Sequence, residues 1–177
     1  PDRALKGLKY ALPIPDARQI MCAGRNYRAY HEVIEDGSAP KYPSIFGRFL
    51  SSFAPNGEAI FRPKVSKQLD YEGELVAIIG THARHVTPDN ALAHVAGYTV
   101  MNEGTVRDWA KMGTQNLPSK NFHRSGGIGP WMVTADEIPD PSKLRLITRL
   151  NGQEVQNDST GQMYFPTDEL IAYISSW

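Results

Sequence analysis

Apolar residues in this chain gather into short runs closed by glycine or proline, the spacing of a protein built from many strands and turns. The clearest run is Leu75-Val76-Ala77-Ile78-Ile79-Gly80, preceded by Asp70-Tyr71-Glu72-Gly73-Glu74, where acids fall at every second position. The pattern predicts a strand whose second half is buried core. Its entrance carries Glu72 and Glu74 on one face, because alternate strand residues project the same way. Residues 95–101 predict a second core strand, and it too runs into an acid, Glu103. Residues 20–24 predict a third. A helix follows it, with Asn26 as N-cap, Gly37 as stop, and Tyr27, Tyr30, His31 and Ile34 on one face.

Turn signals organise the remainder. Asn56-Gly57 predicts a hairpin joining residues 46–53 to 59–61, and Asn151-Gly152 a second one joining 144–150 to 153–155. Residues 88–94 read as a short helix. Thr167 reads as the cap of a last helix whose apolar face is Leu170, Ile171, Ile174 and Trp177. Gly126-Gly127-Ile128-Gly129-Pro130 precedes a strand instead of opening a helix, so phosphate-loop templates do not fit and close backbone packing is expected. Residues 1–19 read as an N-terminal connector with a short strand near residues 8–12. The expectation is a β-rich α+β domain over residues 20–177.

Composition narrows the function classes. The chain has 177 residues, enough for one domain with a substantial core. Lys plus Arg and Asp plus Glu both number 19, so the formal net charge is zero and nothing favours a nucleic-acid or membrane-surface partner. No apolar run approaches the roughly 20 residues that span a bilayer, and no charged-then-apolar signal segment opens the chain. Cys22 is the single cysteine, which excludes an intrachain disulfide and predicts a small buried residue. A soluble, cytoplasmic protein is expected.

Candidate chemistry collects at the strand ends. If the two acid-tipped strands are neighbours, Glu72, Glu74 and Glu103 offer three oxygen ligands to a hard divalent cation; the alternative is solvated strand ends with exposed acids. His31 and Glu35 lie four apart, and a carboxylate beside imidazole suits a general base; an ordinary helix-surface pair is the other reading. Arg48, flanked by phenylalanines, either binds a substrate carboxylate or is a solvated strand arginine. His82 and His85 lack a third ligand and read as surface residues.

Several segments, in order, resemble the fumarylacetoacetate hydrolase family from about Cys22 onward: Gly24-Arg25-Asn26-Tyr27, Asp70-Tyr71-Glu72-Gly73-Glu74-Leu75, Gly97-Tyr98-Thr99, Asn102-Glu103 with Arg107-Asp108, Lys120-Asn121-Phe122, Gly129-Pro130-Trp131, Asn151-Gly152 and Gln162-Met163. The resemblance implies a mixed β-roll with peripheral helices, usually a homodimer, binding Mg²⁺, Mn²⁺ or Ca²⁺. It implies Glu72, Glu74 and Glu103 as metal ligands and Lys120 as a partner of substrate oxygens. His31 with Glu35 stands for the family's hydrolytic base, and Tyr27, Arg48 and Arg107 are the candidate substrate-binding residues. The implied activity is cleavage of a carbon–carbon bond in 2,4-dioxo acids of acylpyruvate or fumarylacetoacetate type, through a metal-stabilised enolate. Isomerisation or decarboxylation of 2-oxo acids, as by 2-hydroxyhepta-2,4-diene-1,7-dioate isomerase, is the alternative, and a non-catalytic metal-binding remnant is a third reading.

The departures from the family pattern matter. Many members carry aspartate where Glu103 stands. In the family's N-Y-x-x-H-x-x-E motif, Tyr30 and Val33 occupy the histidine and glutamate positions, so His31 comes one residue late, a turn of about 100° on a helix. Ala110 stands where many members have glutamine, and His123 where aspartate is usual. The family also continues past the Trp177 position through a T-G-T-P-x-G loop. A chain ending on its last helix's apolar face is expected to lack a segment that completes the core.

Overall fold

The computed structural model describes residue 5, residues 7–34 and residues 38–177, leaving aside the side chains of residues 31, 33 and 34. The first half contains strand β1 (Ile20–Gly24), helix α1 (Arg28–Ile34), and strands β2 (Ser44–Arg48), β3 (Phe53–Pro55), β4 (Leu69–Asp70) and β5 (Gly73–Ile79). Helix α2 (Pro88–Ala91), strands β6 (Val95–Asn102) and β7 (Thr105–Val106), and helix α3 (Leu117–Lys120) follow. Strands β8 (Gly126–Ile128), β9 (Val133–Thr134), β10 (Arg145–Leu150) and β11 (Gln153–Ser159) lead to helix α4 (Thr167–Ser175). The architecture is α+β and strand-rich. Among the described residues no helix is long and apolar enough to cross a membrane.

The main sheet runs β3-β8-β6-β5, with β9 also pairing to β6. Strands β3 and β8 are parallel; the other pairs in this sheet are antiparallel. Strands β1 with β2, β4 with β7, and β10 with β11 form three two-stranded units. In the β5–β6 ladder Gly73 lies opposite Asn102 and Glu74 opposite Met101. That register sets the entrance of β5 beside the exit of β6. The Glu103 amide donates to the Glu72 carbonyl at 2.6 Å, and the Glu72 amide to Asn102 Oδ1 at 3.1 Å.

One face of this ladder is core. Tyr98 and Val95 of β6 pack with Ala91 of α2 and Ile171 of α4, and Leu75 and Ala77 of β5 close against them. By strand alternation, Glu74 and Val76 face the other way. The expected fully buried second half of β5 is instead half-buried along its length, with Ile79 46% exposed. The reason is position: β5 ends the sheet and has one ladder partner within it.

Other local expectations meet the tertiary structure differently. Asn151 and Gly152 take φ of 51° and 82°, as a two-residue type I′ turn requires, and β11 runs four residues beyond the expected end. The other predicted hairpin does not form: β2 pairs with β1, β3 pairs with β8, and residues 59–61 are irregular. No strand forms at residues 8–12. Thr167 is the first helical residue of α4, with Pro166 at the cap. Trp177 stays exposed, and Ser175 takes the inner position by accepting from the Val86 amide at 3.1 Å. Gly126 bears out the close-packing expectation, since a Cβ there would stand 2.8 Å from the Asn102 carbonyl oxygen.

Asn26 also has a different task from the one expected. It is buried, and its side chain holds a distant segment instead of capping α1: Nδ2 donates to the Phe165 carbonyl at 2.8 Å and Oδ1 accepts from the Phe165 amide at 3.0 Å. The Tyr164 amide adds a bond to the Asn26 carbonyl at 2.7 Å, and Tyr27 forms an antiparallel bridge with Met163. The expected stop, Gly37, lies outside the described residues. Asn26→Ala leaves two Phe165 backbone groups without their partners. We expect a loss of about 2 kcal/mol in urea unfolding, and an unchanged midpoint would contradict this role.

Candidate metal centre

Glu72 immediately precedes β5, Glu74 is its second residue, and Glu103 immediately follows β6. The β5–β6 register therefore turns three acids from two strand ends toward one point. One carboxylate oxygen from each lies within 4.8 Å of the others. Glu103 is 4% exposed, so this is a walled centre and not a pair of solvated strand ends.

Cations and donors surround it. Lys120, at the end of α3, places Nζ 2.5 Å from Glu72 Oε2 and 3.1 Å from Glu103 Oε2. Arg107 Nη1 lies 2.7 Å from Glu72 Oε1, and its Nε donates to Asp70 Oδ2 at 2.8 Å. Thr105 Oγ1 donates to Glu72 Oε1 at 2.9 Å. Arg48 Nη1 stands 3.8 Å from Glu103 Oε1, while Arg48 Nε donates to Ser52 Oγ at 3.1 Å and its guanidinium lies over the Phe53 ring.

Crowding like charges in a partly dry site shifts their proton affinities. Burial, then the neighbouring Glu103 and Glu72, pushes the Glu74 carboxyl up to about 8, with Lys120 pulling the other way. Burial lowers the Arg48 guanidinium, against the opposing pull of Glu103. The Cys22 thiol, buried as expected, is raised by burial and then by Glu103 beside it.

The donor set fits a hard divalent cation. All three groups are carboxylates, the ligand type such ions prefer. The buried Glu103 Oε1 has Arg48 Nη1 at 3.8 Å as a nearby charge but no hydrogen-bond partner, so its lone pairs stay open to a cation. Second-layer donors already orient Glu72, an arrangement that strengthens metal sites.

The other predicted residues fall in varied places. His31 lies on α1, but its side chain, like Glu35, is outside the described residues. Tyr27 has a buried hydroxyl without a hydrogen-bond partner, and burial, followed by Glu74 and Asp158, raises its proton affinity well above the usual phenol range. Arg48 requires correction. Its side chain is fully enclosed at 0% exposure, so it is neither solvated nor open to direct contact with a substrate; it backs Glu103. Arg107 is 43% exposed and grips Asp70 and Glu72. His82 and His85 are exposed, as expected.

Sequence reasoning gave no role to Asp70 and did not single out Thr105. Alternation could have flagged both, since Asp70, Glu72 and Glu74 share a period of two, as do Glu103 and Thr105. The burial of Arg48 had a weaker signal in the aromatic residues around it.

Residues 19–177 match the family model described as fumarylacetoacetate (FAA) hydrolase C-terminal. The chain belongs to the fumarylacetoacetate hydrolase family. Among curated proteins, oxaloacetate tautomerase FAHD2A, mitochondrial, of Homo sapiens is 36% identical over 170 residues, covering 95% of this chain and 54% of that protein. The chain thus spans about half the length of the curated relatives it matches. Among solved structures, a 5-carboxymethyl-2-hydroxymuconate delta-isomerase from Mycobacterium smegmatis superposes with a TM-score of 0.81 at 29% identity, over 90% of this chain and 62% of that one. A fumarylpyruvate hydrolase from Pseudomonas aeruginosa in complex with Mn²⁺ and pyruvate superposes with a TM-score of 0.80 at 28% identity, over 96% of this chain and 75% of that one.

Proposed function

We propose that residues 20–177 form the metal-binding catalytic domain of an enzyme acting on small 2-oxo or 2,4-dioxo acids, with Mg²⁺ as its cation and Mn²⁺ or Ca²⁺ as substitutes. The observation that carries this reading is the convergence of Glu72, Glu74 and Glu103 around one point beside the Lys120 ammonium. A hard divalent cation held there would supply Lewis-acid polarisation of the 2-oxo acid group. Lys120 supplies positive charge to a substrate oxygen as it becomes negative. Arg107 anchors Glu72 and, being partly exposed, offers the N–H groups that Asp70 and Glu72 leave unused to a substrate carboxylate. Arg48 fixes Glu103 from behind. Tyr27 directs a neutral hydroxyl toward a substrate oxygen. His31 with Glu35 takes a proton from water for attack on the distal carbonyl. Carbon–carbon hydrolysis of a 2,4-dioxo acid is the outcome we assign first.

Tautomerisation, isomerisation or decarboxylation is the second outcome, and the names of the relatives, an oxaloacetate tautomerase and a delta-isomerase, favour it. It needs the same charge stabilisation without an attacking water. We assign a homodimer and the cytoplasm by proposal; the human relative is mitochondrial by name.

The test is turnover of an acylpyruvate and of oxaloacetate by the purified protein, before and after chelation. Chelation should reduce either activity by at least about 100-fold. Cation binding without turnover of any 2-oxo acid would refute the enzyme reading. His31→Ala chooses between the outcomes: lost acylpyruvate hydrolysis with retained oxaloacetate chemistry favours the second.

A further inference from the structure

Two carboxylates of the centre have few free oxygens. Glu72 Oε1 is held by Thr105 Oγ1 at 2.9 Å and Arg107 Nη1 at 2.7 Å, and Glu72 Oε2 by Lys120 Nζ at 2.5 Å. Glu103 Oε2 is held by the same Nζ at 3.1 Å, leaving Oε1 without a hydrogen bond. A divalent cation that binds both residues must therefore share an oxygen of Glu72 with a donor already there.

The donors differ in how easily they yield. Thr105 is 1% exposed and sits in β7, so its hydroxyl is fixed by the backbone. Arg107 is tied down at its other edge by Asp70. Lys120 has one ammonium on a flexible four-carbon stem. Its Nζ also lies 5.2 Å from the centroid of the Phe46 ring, whose face offers a displaced ammonium a second resting place. An ammonium and a dication a few ångströms apart in a partly buried site repel each other strongly.

We propose that Lys120 competes with the divalent cation for Glu72 and Glu103, and that cation binding shifts its ammonium off these oxygens toward the substrate position. Lys120 thereby keeps cation affinity lower than three carboxylates alone would set, and it meets the substrate only after the cation is in place. The inference rests on the metal reading proposed above. The rival role for Lys120, clamping Glu72 and Glu103 in the geometry that binds the cation, predicts the opposite sign.

Calorimetric Mg²⁺ titration of the wild type, Lys120→Met, Lys120→Gln and Lys120→Arg at pH 8.5 decides between them. Competition predicts that both neutral variants bind Mg²⁺ about tenfold more tightly than wild type, with Lys120→Arg close to wild type. Equal or weaker binding by a folded neutral variant overturns the proposal. A second measurement needs no substitution: amine labelling of the wild type, read by peptide mass spectrometry, should show Lys120 labelling several-fold faster with Mg²⁺ than with chelator. Unchanged or slower labelling overturns the proposal. No Mg²⁺ binding by the wild type would overturn the metal centre itself, and this inference with it.

Discussion

Glu103→Gln and Glu74→Gln should each weaken divalent-cation binding by at least about 100-fold, yet shift the stability of the chelator-treated protein in opposite directions. Glu103 is enclosed and faces two positive groups, with Arg48 Nη1 at 3.8 Å and Lys120 Nζ at 3.1 Å. Glutamine keeps its shape and removes its charge, which leaves the enclosed Arg48 guanidinium without its counter-charge. Breaking a buried pair on one side costs about 3 kcal/mol. Glu74 is the reverse case. Burial and its two acidic neighbours hold its carboxyl up to about 8 instead of an ordinary 4.5. The folded state therefore resists its ionisation, and its contribution to stability is lost as pH rises from 4.5 to 8. Glutamine escapes that cost, so Glu74→Gln should gain roughly 1 kcal/mol at pH 8.5. Urea unfolding in chelator, with and without added Mg²⁺, measures both effects. Displacement of both variants in one direction, or a wild-type Mg²⁺ response in either, would contradict the charge layout described.

Gly104→Ala should be among the most damaging single substitutions outside the carboxylates. A Cβ on Gly104 would stand 1.9 Å from the Ser125 carbonyl oxygen and 2.9 Å from the Ser125 carbonyl carbon. Both are backbone atoms next to β8, so no side-chain rotation relieves the clash. The Gly104 carbonyl also accepts from Arg48 Nη1 at 3.4 Å, and the residue joins Glu103 to Thr105, both of which serve the centre. Forcing the two segments apart should cost about 3 kcal/mol or more and spread Glu103 from Glu72. Gly113 is the control, because a Cβ there meets nothing within 4 Å, and Gly113→Ala should change stability little. Denaturation midpoints and Mg²⁺ affinity for the two variants check this. A Gly104→Ala protein as stable as Gly113→Ala would refute the close approach.

Much of the centre was legible because strand alternation is a local rule. Acids two apart at the entrance of an apolar run point one way wherever the run ends up, and an acid after a second run stands at that strand's exit. The Asn151-Gly152 turn was legible for the same kind of reason, since its backbone angles are a property of those two residues. The hairpin expected around Asn56-Gly57 shows the limit: a turn signal says where the chain reverses, not which strands pair. Asn26 shows it again, because a side chain suited to capping found a better use on Phe165, 139 residues away.

The sequence by itself determined the acid-tipped strands, the second hairpin, the helix before the C-terminus and the family to which the chain belongs. Only the tertiary structure decided that β5 and β6 are antiparallel neighbours in the register that sets Glu72 beside Glu103. It also decided that Arg48 is enclosed behind Glu103, and that Lys120 arrives from α3 to sit between two acids. The physical reason is range. Propensity, alternation and turn chemistry act over a few residues, whereas the charges that face Glu72 and Glu103 come from segments brought together only when distant strands pair.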